Sequence, residues 1–157
     1  MADQVLEAPR GTYPARCDDK GRLKLPVPFQ QYLSALPEKG LFVTSMDRAT
    51  ARLYPLPVWR ETEKRLDGAT GEQAKRAKRV KFTARDLGAD AEMDGQGRVL
   101  LPPELRRQLG IENQSVRIFA EKGRIEVWSE ARYAERQQEA ANTAPEDAEE
   151  LETAGLV

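Results

Sequence analysis

The feature that most constrains the fold of this chain is a ten-residue phrase that is written twice. The segment CDDKGRLKLP begins at Cys17, and MDGQGRVLLP begins at Met93, an offset of 76 residues. Five positions of the phrase are identical in the two copies: Asp18/Asp94, Gly21/Gly97, Arg22/Arg98, Leu25/Leu101 and Pro26/Pro102. Because the patterns on either side also agree, the repetition indicates an internal duplication.

Each copy has the pattern of a strand, a turn and a second strand. Apolar residues alternate with others before the phrase, at Tyr13, Ala15 and Cys17 in the first copy and at Ala89, Ala91 and Met93 in the second. This period of two predicts a half-buried strand in both places. The Asp- and Gly-rich stretch that follows predicts that the chain turns back. A second short strand then ends at a proline.

Each copy continues with a short helix and a further pair of strands. Apolar residues four apart predict the helix, at Phe29 and Leu33 and again at Leu105 and Leu109. Strand patterns follow in LFVTSM and ARLYP, and in SVRIFA and RIEVW. A unit with four short strands cannot easily bury its own sheet faces. We therefore expect the two units to cover each other in one small barrel.

The remaining segments predict helices and a tail. Two helices are expected between the copies, and a last helix with Ser129 as its N-cap is expected to run into an Ala- and Glu-rich tail that is disordered at its end. The chain is thus divided into repeat 1 (12–57), a helical connector (58–87), repeat 2 (88–131) and a helix with an acidic tail (132–157).

The net charge of −1 conceals a segregation of charge along the chain. Residues 134–157 contain seven acidic residues and one basic residue, which leaves 24 basic against 19 acidic residues, or +5, in residues 1–133. Residues 75–85 alone contain six positive charges and no negative one. A basic body with an acidic tail is one pattern of nucleic-acid-binding proteins, although ordinary solvated surfaces also show it.

The composition argues against several other classes of protein. The chain has no histidine and one cysteine, and we find no nucleophile elbow, phosphate-binding glycine loop or metal-ligand cluster in it. We therefore expect no enzymatic activity, no cofactor and no metal. No apolar run approaches 18 residues and the chain has no basic-then-apolar start, so we expect neither a membrane span nor a signal peptide. The single cysteine, Cys17, fits a reducing cytoplasm, so we expect a cytoplasmic location.

The arginine after the turn glycine predicts a binding surface. Because Leu23 and Leu25 must point inward, Arg22 points outward, and Lys20, Arg22 and Lys24 are expected to share the outer face of one strand. The second copy places Gln96, Arg98 and Leu100 on that face. An arginine can bind phosphate or read guanine in the major groove, and β-hairpins can enter that groove. An alternative role, compatible with the first, is a salt bridge from each arginine to the Asp four residues earlier.

These motifs resemble the MraZ family. The resemblance rests on Asp-x-Lys-Gly-Arg, on its copy Asp-Gly-x-Gly-Arg followed by Leu-Leu-Pro-Pro, and on LYPLPVW and IEVWSEARY after the two repeats. It covers about residues 12–133. It implies an α+β, mainly β fold in which two SpoVT-AbrB (AbrB-like) swapped-hairpin units form a pseudo-symmetric small barrel with connecting helices.

The resemblance also implies a function. Members of this family are bacterial, nucleoid-associated transcriptional regulators that bind direct repeats upstream of the division and cell-wall gene cluster as ring-shaped homo-oligomers. The family's Asp-x-x-x-Arg signature falls on Asp18/Arg22 and Asp94/Arg98. We expect the side chains that contact DNA to be Lys20, Arg22, Lys24 and Arg98. We expect the residues that form the turns to be Asp18, Gly21, Asp94 and Gly97. The alternatives are an AbrB-like antitoxin and a protein-interaction module.

Self-association is also expected from the chain's own apolar residues. The connector carries Trp59 and the end of the second repeat carries Trp128, and we expect both to add exposed apolar surface that a single chain does not cover.

Overall fold

The structure is a computed structural model, and it describes residues 6–157. The first repeat contains β1 (Tyr13–Cys17), β2 (Arg22–Lys24), α1 (Val27–Ala35), β3 (Leu41–Thr44) and β4 (Ala51–Pro55). Two connecting helices follow, α2 (Leu56–Asp67) and α3 (Glu72–Leu87). The second repeat contains β5 (Ala89–Ala91), β6 (Arg98–Leu100), α4 (Pro103–Leu109), β7 (Gln114–Glu121) and β8 (Arg124–Ser129), and α5 (Glu130–Thr153) follows it. Both copies therefore have the same order of elements.

The eight strands form one antiparallel, nearly closed sheet in the order β5-β3-β4-β8-β7-β1-β2-β6. Within residues 6–157, four of the strand pairings join the two repeats, and they are β2 with β6, β1 with β7, β3 with β5 and β4 with β8. Neither repeat is a sheet by itself, because each supplies the hydrogen-bonding partners of the other. The predicted α+β fold class and pseudo-symmetric small barrel are confirmed.

The two repeats are related by a pseudo-two-fold axis, which passes through two of the cross-repeat strand pairings. In the pairing of β2 with β6, Leu23 faces Val99, which is its counterpart in the repeated phrase. In the pairing of β4 with β8, Arg52 faces Glu126, and the flanking pairs are related by exchange of the two strands. The axis therefore runs between an apolar pair at one point and an oppositely charged pair at the other.

The core is filled from both repeats. The inward residues of the strands and the apolar faces of α1 and α4 form one cluster of side chains, nearly all of them completely buried; its members include Leu23, Leu25, Phe29, Leu53, Val99, Leu101, Leu105, Ile118 and Ile125. A shared core means that the free energy of apolar burial is lost if the repeats separate. The barrel is thus a single cooperative unit.

The connecting helices pack on the outside of this barrel. Trp59 of α2 is 8% exposed. The centroid of its ring lies 4.6 Å from that of Phe42 and 5.0 Å from that of Tyr54. The expectation that Trp59 adds exposed apolar surface is therefore wrong, because the helix turns this face toward β3 and β4. Trp128 is half-buried against Phe119. Among the described helices, none has the length and apolar composition needed to span a membrane.

Helix α5 corrects a second expectation. The acidic tail was expected to be disordered at its end, but the helix continues to Thr153. Ser129 caps it by accepting a hydrogen bond of 3.1 Å from the amide of Arg132. Alanine and glutamate have high helix propensity, and this favours the continuation of the helix although Pro145 lies inside it.

The second copy also pairs differently from the simple hairpin that the sequence predicts. The chain does reverse between Asp94 and Gly97, but β5 pairs with β3 and β6 pairs with β2. Ala91 lies opposite Leu41 across the repeats, as Ala15 lies opposite Val116. The exchange of strands between the repeats takes precedence over the local hairpin.

Glu126 is the most buried charged side chain of the sheet, and its interactions predict a large effect on stability. Its carboxylate is 4% exposed, accepts hydrogen bonds from Arg124 Nε at 2.8 Å and from Trp128 Nε1 at 3.1 Å, and forms an ion pair with Arg52 Nε at 2.8 Å. We expect Glu126→Ala to lower the free energy of unfolding by about 3 kcal/mol, because two partly buried arginines lose their carboxylate partner and Trp128 Nε1 loses its acceptor. Denaturation midpoints at one fixed protein concentration measure this.

The matched control is Glu121→Ala. Glu121 also pairs with Arg124, at 3.5 Å, but its side chain is 52% exposed. We expect this variant to lose less than about 1 kcal/mol. Equal losses in the two variants would contradict the role assigned to Glu126.

Candidate nucleic-acid interface

The turn of the first repeat is built around the side chain of Asp18. Its Oδ1 accepts hydrogen bonds from the backbone amides of Lys20 and Arg22, both at 2.9 Å. The amide of Asp18 donates to the carbonyl of Arg22 at 2.9 Å. Gly21 completes the turn at φ +82°, in the left-handed region that favours glycine. The aspartate and the glycine of the motif therefore have structural roles.

The second turn repeats this geometry. Asp94 Oδ1 accepts from the amides of Gln96 and Arg98, both at 2.9 Å, and Gly97 has φ +75°. The two copies of the motif are thus alike in structure as well as in sequence.

Each aspartate also orients the arginine of its motif. Arg22 Nε donates to Asp18 Oδ2 at 2.8 Å, and Arg98 Nε donates to Asp94 Oδ2 at 2.9 Å. The i−4 salt bridge considered from the sequence is present in both copies. Among the described residues, the Nη atoms of both arginines have no hydrogen-bond partner, and they are not enclosed. The guanidinium groups are therefore held by one edge and present their remaining N–H donors to an external acceptor.

The hydrogen bonds around each aspartate lower its pKa. For Asp18 the largest cause that lowers the pKa is the backbone hydrogen bond from Arg22, followed by the side-chain hydrogen bond from the same residue. For Asp94 the corresponding bonds come from Arg98. Both carboxyl groups are consequently ionised near neutral pH and keep their arginines oriented.

The pairing of β2 with β6 brings both motifs to one surface. Lys24 lies opposite Arg98, and Arg22 lies opposite Leu100, while Leu23 and Val99 between them are fully buried. We call the outward side chains Arg22, Lys24, Arg98 and Leu100 the basic ribbon face. It contains three cations and one apolar side chain that is 58% exposed. The ammonium group of Lys24 donates to the carbonyl of Gln96, across the two strands.

Lys20 is not on this face in the way that the sequence suggested. It was expected on the outer face of the strand with Arg22 and Lys24, but it lies in the turn before β2. The left-handed conformation of Gly21 breaks the alternation between Lys20 and Arg22. Lys20 is exposed at the end of the ribbon.

Sequence reasoning missed a pair of residues that hold these turns from the opposite repeat. Arg106 of α4 donates from Nη1 to the carbonyl of Lys20 at 3.2 Å, and a Cβ built on Gly21 would lie 1.4 Å from that nitrogen. Gln30 of α1 lies over Gly97 in the same way, and a Cβ built on Gly97 would lie 2.2 Å from Gln30 Cδ. Each repeat therefore covers the turn glycine of the other.

The signal for this pair was present in the sequence. Gln30 and Arg106 each follow the motif proline by four residues. Both also donate to the carbonyl of the leucine before that proline, Gln30 to Leu25 at 2.6 Å and Arg106 to Leu101 at 3.1 Å. The signal is therefore a polar side chain at the same position in both repeats, on the helix face that approaches the other repeat.

The structure offers little support for chemistry at this site. Cys17 is fully buried, and burial raises the pKa of its thiol to about 11, so it is a poor nucleophile. In the part of the chain that the structure describes, no group of His, Cys, Asp and Glu side chains could hold a metal ion. What the site presents is a set of oriented hydrogen-bond donors.

Comparison with known proteins decides the family. A family model described as "MraZ protein, putative antitoxin-like" matches residues 88–154. A protein of Herpetosiphon aurantiacus named transcriptional regulator MraZ is 36% identical over 149 residues, which cover 93% of this chain and 98% of that protein. The chain belongs to the MraZ family.

Other relatives with the same name agree. The protein of Acidobacterium capsulatum is 34% identical over 94% of this chain and 99% of its own length. That of Tolumonas auensis is 32% identical over 87% of this chain and 90% of its own length. These alignments extend over most of the chain, whereas the family model covers the second repeat of this MraZ chain and most of α5. The resemblance seen in the duplicated motif is confirmed.

The lowered pKa values predict how the turns respond to acid. A carboxyl group whose pKa is lower in the folded chain stabilises the fold above its unfolded pKa, about 3.9 for Asp, and this contribution is lost as the pH falls through the folded value. We expect the double variant Asp18→Asn/Asp94→Asn to be less stable than the wild type at pH 7. The difference should shrink toward pH 3. Denaturation midpoints of both proteins at the two pH values test this, and a difference that is independent of pH would contradict it.

The close approach of Arg106 predicts the effect of filling the turn. We expect Gly21→Ala to lower the free energy of unfolding by about 1–3 kcal/mol, because the new residue is strained at φ +82° and displaces Arg106. The control is Gly95→Ala in the other turn, where φ is not left-handed and a Cβ meets nothing within 4 Å. This variant should be nearly neutral. Denaturation midpoints compare them, and equal losses would show that the contact with Arg106 is unimportant.

Proposed function

We propose that this MraZ chain is a sequence-specific DNA-binding regulator of transcription. It binds direct repeats in promoter DNA of the division and cell-wall gene cluster as a ring-shaped homo-oligomer, at the nucleoid. The relatives' name supports regulation of transcription, and the target genes and the ring come from the family resemblance. The basic ribbon face supports the DNA contact.

The observation that carries the proposal is the orientation of the two arginines. A guanidinium held through Nε by a carboxylate is fixed in direction, and its free N–H donors match the O6 and N7 acceptors of guanine or two phosphate oxygens. Fixing the side chain before binding reduces the entropy that must be lost on the DNA. An arginine needed only for the turn would not require exposed donors.

The shape of the ribbon supports the same partner. The major groove of B-DNA is about 12 Å wide and admits a two-stranded β-ribbon. Strands β2 and β6 are such a ribbon, with Leu23 and Val99 anchoring its inner side in the core. A rigid inner side means that the outward cations can be presented to the groove together.

The charge distribution supports binding to phosphate. The net charge of +5 in residues 1–133 favours association with a polyanion, and each neutralised phosphate releases counterions, so affinity should fall steeply with salt. In a ring, several copies of a weak contact act together, so direct repeats in the DNA raise the overall affinity.

The two repeats are proposed to contribute unequally. The first supplies Arg22 and Lys24 on the ribbon and Lys20 at its end, whereas the second supplies Arg98 beside Gln96 and Leu100. Three cations give more phosphate contacts than one. We propose that repeat 1 makes most of the DNA contact and that Arg98 has a supporting role.

An antitoxin role is the second candidate, and the words "antitoxin-like" in the family model's description favour considering it. In that case the basic ribbon face would meet an acidic protein. A gel-shift assay with the upstream region of the protein's own operon separates the two, as does the presence of a toxin gene beside it. Specific retention of that DNA supports the regulator.

The proposal predicts a ranking of arginine variants. Arg22→Ala should abolish specific binding to operator DNA, because one arginine–base contact is worth about 1–3 kcal/mol and the loss recurs in every engaged subunit. Arg98→Ala should bind more weakly than the wild type, but detectably. Arg22→Lys keeps the charge and loses the oriented fork, so it should lose specificity and keep most of the non-specific affinity. Salt titrations of DNA binding measure all three.

The control for these variants is Arg136→Ala, which removes an exposed arginine of α5 that pairs with Glu139. It should bind DNA like the wild type. Light scattering and circular dichroism, run in parallel, check that mass and fold are unchanged. Equal losses for Arg22→Ala and Arg98→Ala at unchanged mass would contradict the ranking, and wild-type binding by both would contradict the proposed function.

A further inference from the structure

The end of helix α5 has no partner within its own chain. Every residue from Ala134 to Val157 is exposed. We call residues 145–157 the acidic arm, since they contain five acidic residues and no basic one. The 24 residues of α5 span about 36 Å at 1.5 Å per residue, so the arm extends well away from the barrel.

The acidic arm ends in an apolar tip. The amide of Leu156 donates to the carbonyl of Leu151 at 2.8 Å, and Gly155 has φ +74°, which is the geometry of a Schellman motif. This motif brings the two leucines together at the end of the helix. Leu151 is 42% exposed, Leu156 71% and Val157 74%. An acidic helix with an exposed apolar tip is suited to docking.

A groove of matching chemistry lies on the outside of the barrel between α2 and α3. It has a volume of about 860 Å³, and its apolar lining comes from Phe42, Leu56, Trp59 and Phe82. Phe82 is 59% exposed, although it is the largest apolar side chain on its helix. Trp59 is buried at the floor of the groove and Phe42 and Leu56 are half-buried, so Phe82 is the side chain of this apolar lining that the described chain leaves exposed.

The rim of this groove is mainly basic. Four cations line it (Arg60, Lys78, Lys81 and Arg85), with two acidic residues, Glu63 and Asp90. Arg60 is paired with Glu38, and Lys81 with Asp67. Within residues 6–157, Lys78 and Arg85 have no ion-pair partner. Two cations are therefore available to an acidic ligand.

We propose that the groove between α2 and α3 binds the acidic arm of a second copy of the chain. Leu151, Leu156 and Val157 would enter among the aromatic side chains, and the carboxylates of the arm would face Lys78 and Arg85. The occupant comes from another copy because a helix that leads away from the barrel cannot return to α3 without breaking. An apolar lining favours a protein helix over DNA, whose exposed backbone is charged throughout.

This contact specifies how copies meet within the self-association proposed above, and it rests on that proposal. It does not depend on DNA binding, since neither the groove nor the arm includes the basic ribbon face. Each copy offers one arm and one groove, so the interface is heterologous, and such interfaces close into rings when the rotation between copies permits.

Site-directed disulfide formation tests the contact directly. Cys17 is buried, so the wild-type chain gives little background. Glu63→Cys places a thiol in the groove and keeps its cations and aromatics, and Val157→Cys places one on the tip of the arm. The two variants are purified separately, one with a mass tag, then mixed and oxidised. We expect the mixed disulfide to form readily between different chains.

The matched control is Glu61→Cys, two residues away on the same helix and exposed, but outside the groove. It should form the mixed disulfide several-fold less. Reversing the groove charges in the Glu63→Cys variant, with Lys78→Glu and Arg85→Glu, should lower cross-linking several-fold. Adding Glu149→Lys and Glu150→Lys to the arm variant should restore it.

Several results of these measurements would contradict the contact between the acidic arm and the groove. Equal cross-linking by Glu61→Cys and Glu63→Cys overturns the proposal, and so does a disulfide that forms only when both cysteines are in one chain. Protection of Glu63→Cys from alkylation by DNA, but not by the arm, would overturn it in favour of DNA. An oligomeric mass in light scattering without the specific disulfide contradicts this contact and leaves self-association standing. A monomer mass near 17.6 kDa contradicts both.

Discussion

The backbone pairing of β2 with β6 is the interaction on which the rest of this structure depends. These strands are only three residues long, yet their register sets Leu23 against Val99 in the core and Lys24 against Arg98 outside it. A shift of one residue would exchange the inner and outer faces. The same pairing therefore closes the hydrophobic core and assembles the basic ribbon face, so binding surface and stability are coupled.

The aspartates make this pairing compatible with binding. A strand of three residues would fray if the turn before it were loose, and Asp18 and Asp94 prevent this by accepting hydrogen bonds from two backbone amides each. The same carboxylates hold Arg22 and Arg98 through Nε. One side chain thus fixes both the direction of the chain and the direction of the guanidinium, which explains why the motif needs Asp and Arg four residues apart.

The duplicated phrase made most of the architecture predictable from the sequence. Local signals were sufficient for it: alternation identified β1, Asp and Gly identified the turns, and the outward position of Arg22 followed from the inward position of Leu23. The salt bridge from Arg22 to Asp18 follows from their spacing of four residues, and it is formed. These features depend on residues that are close in sequence.

What the sequence did not reveal depends on contacts between distant residues. The pairing of β5 with β3 and the cover of Gly21 by Arg106 join segments that are far apart in the chain, where no local pattern reports them. The burial of Trp59 depends on how α2 packs against β3 and β4, which its own sequence does not specify. The helical continuation of α5 was missed for another reason. The low hydrophobicity of this segment favours disorder, whereas the helix propensity of its alanine and glutamate residues favours a helix, and the helix is what forms.

The charged pair on the pseudo-two-fold axis has a consequence for how such a chain could have arisen. In a symmetric dimer of identical half-length chains, the residue on the axis faces its own copy, so arginine would meet arginine, or glutamate would meet glutamate. Arg52 opposite Glu126 is possible only once the two halves are joined and have diverged. Such a pair makes the halves unequal partners. Each prefers the other to its own kind, which disfavours the pairing of two first halves, or of two second halves, from neighbouring chains during folding.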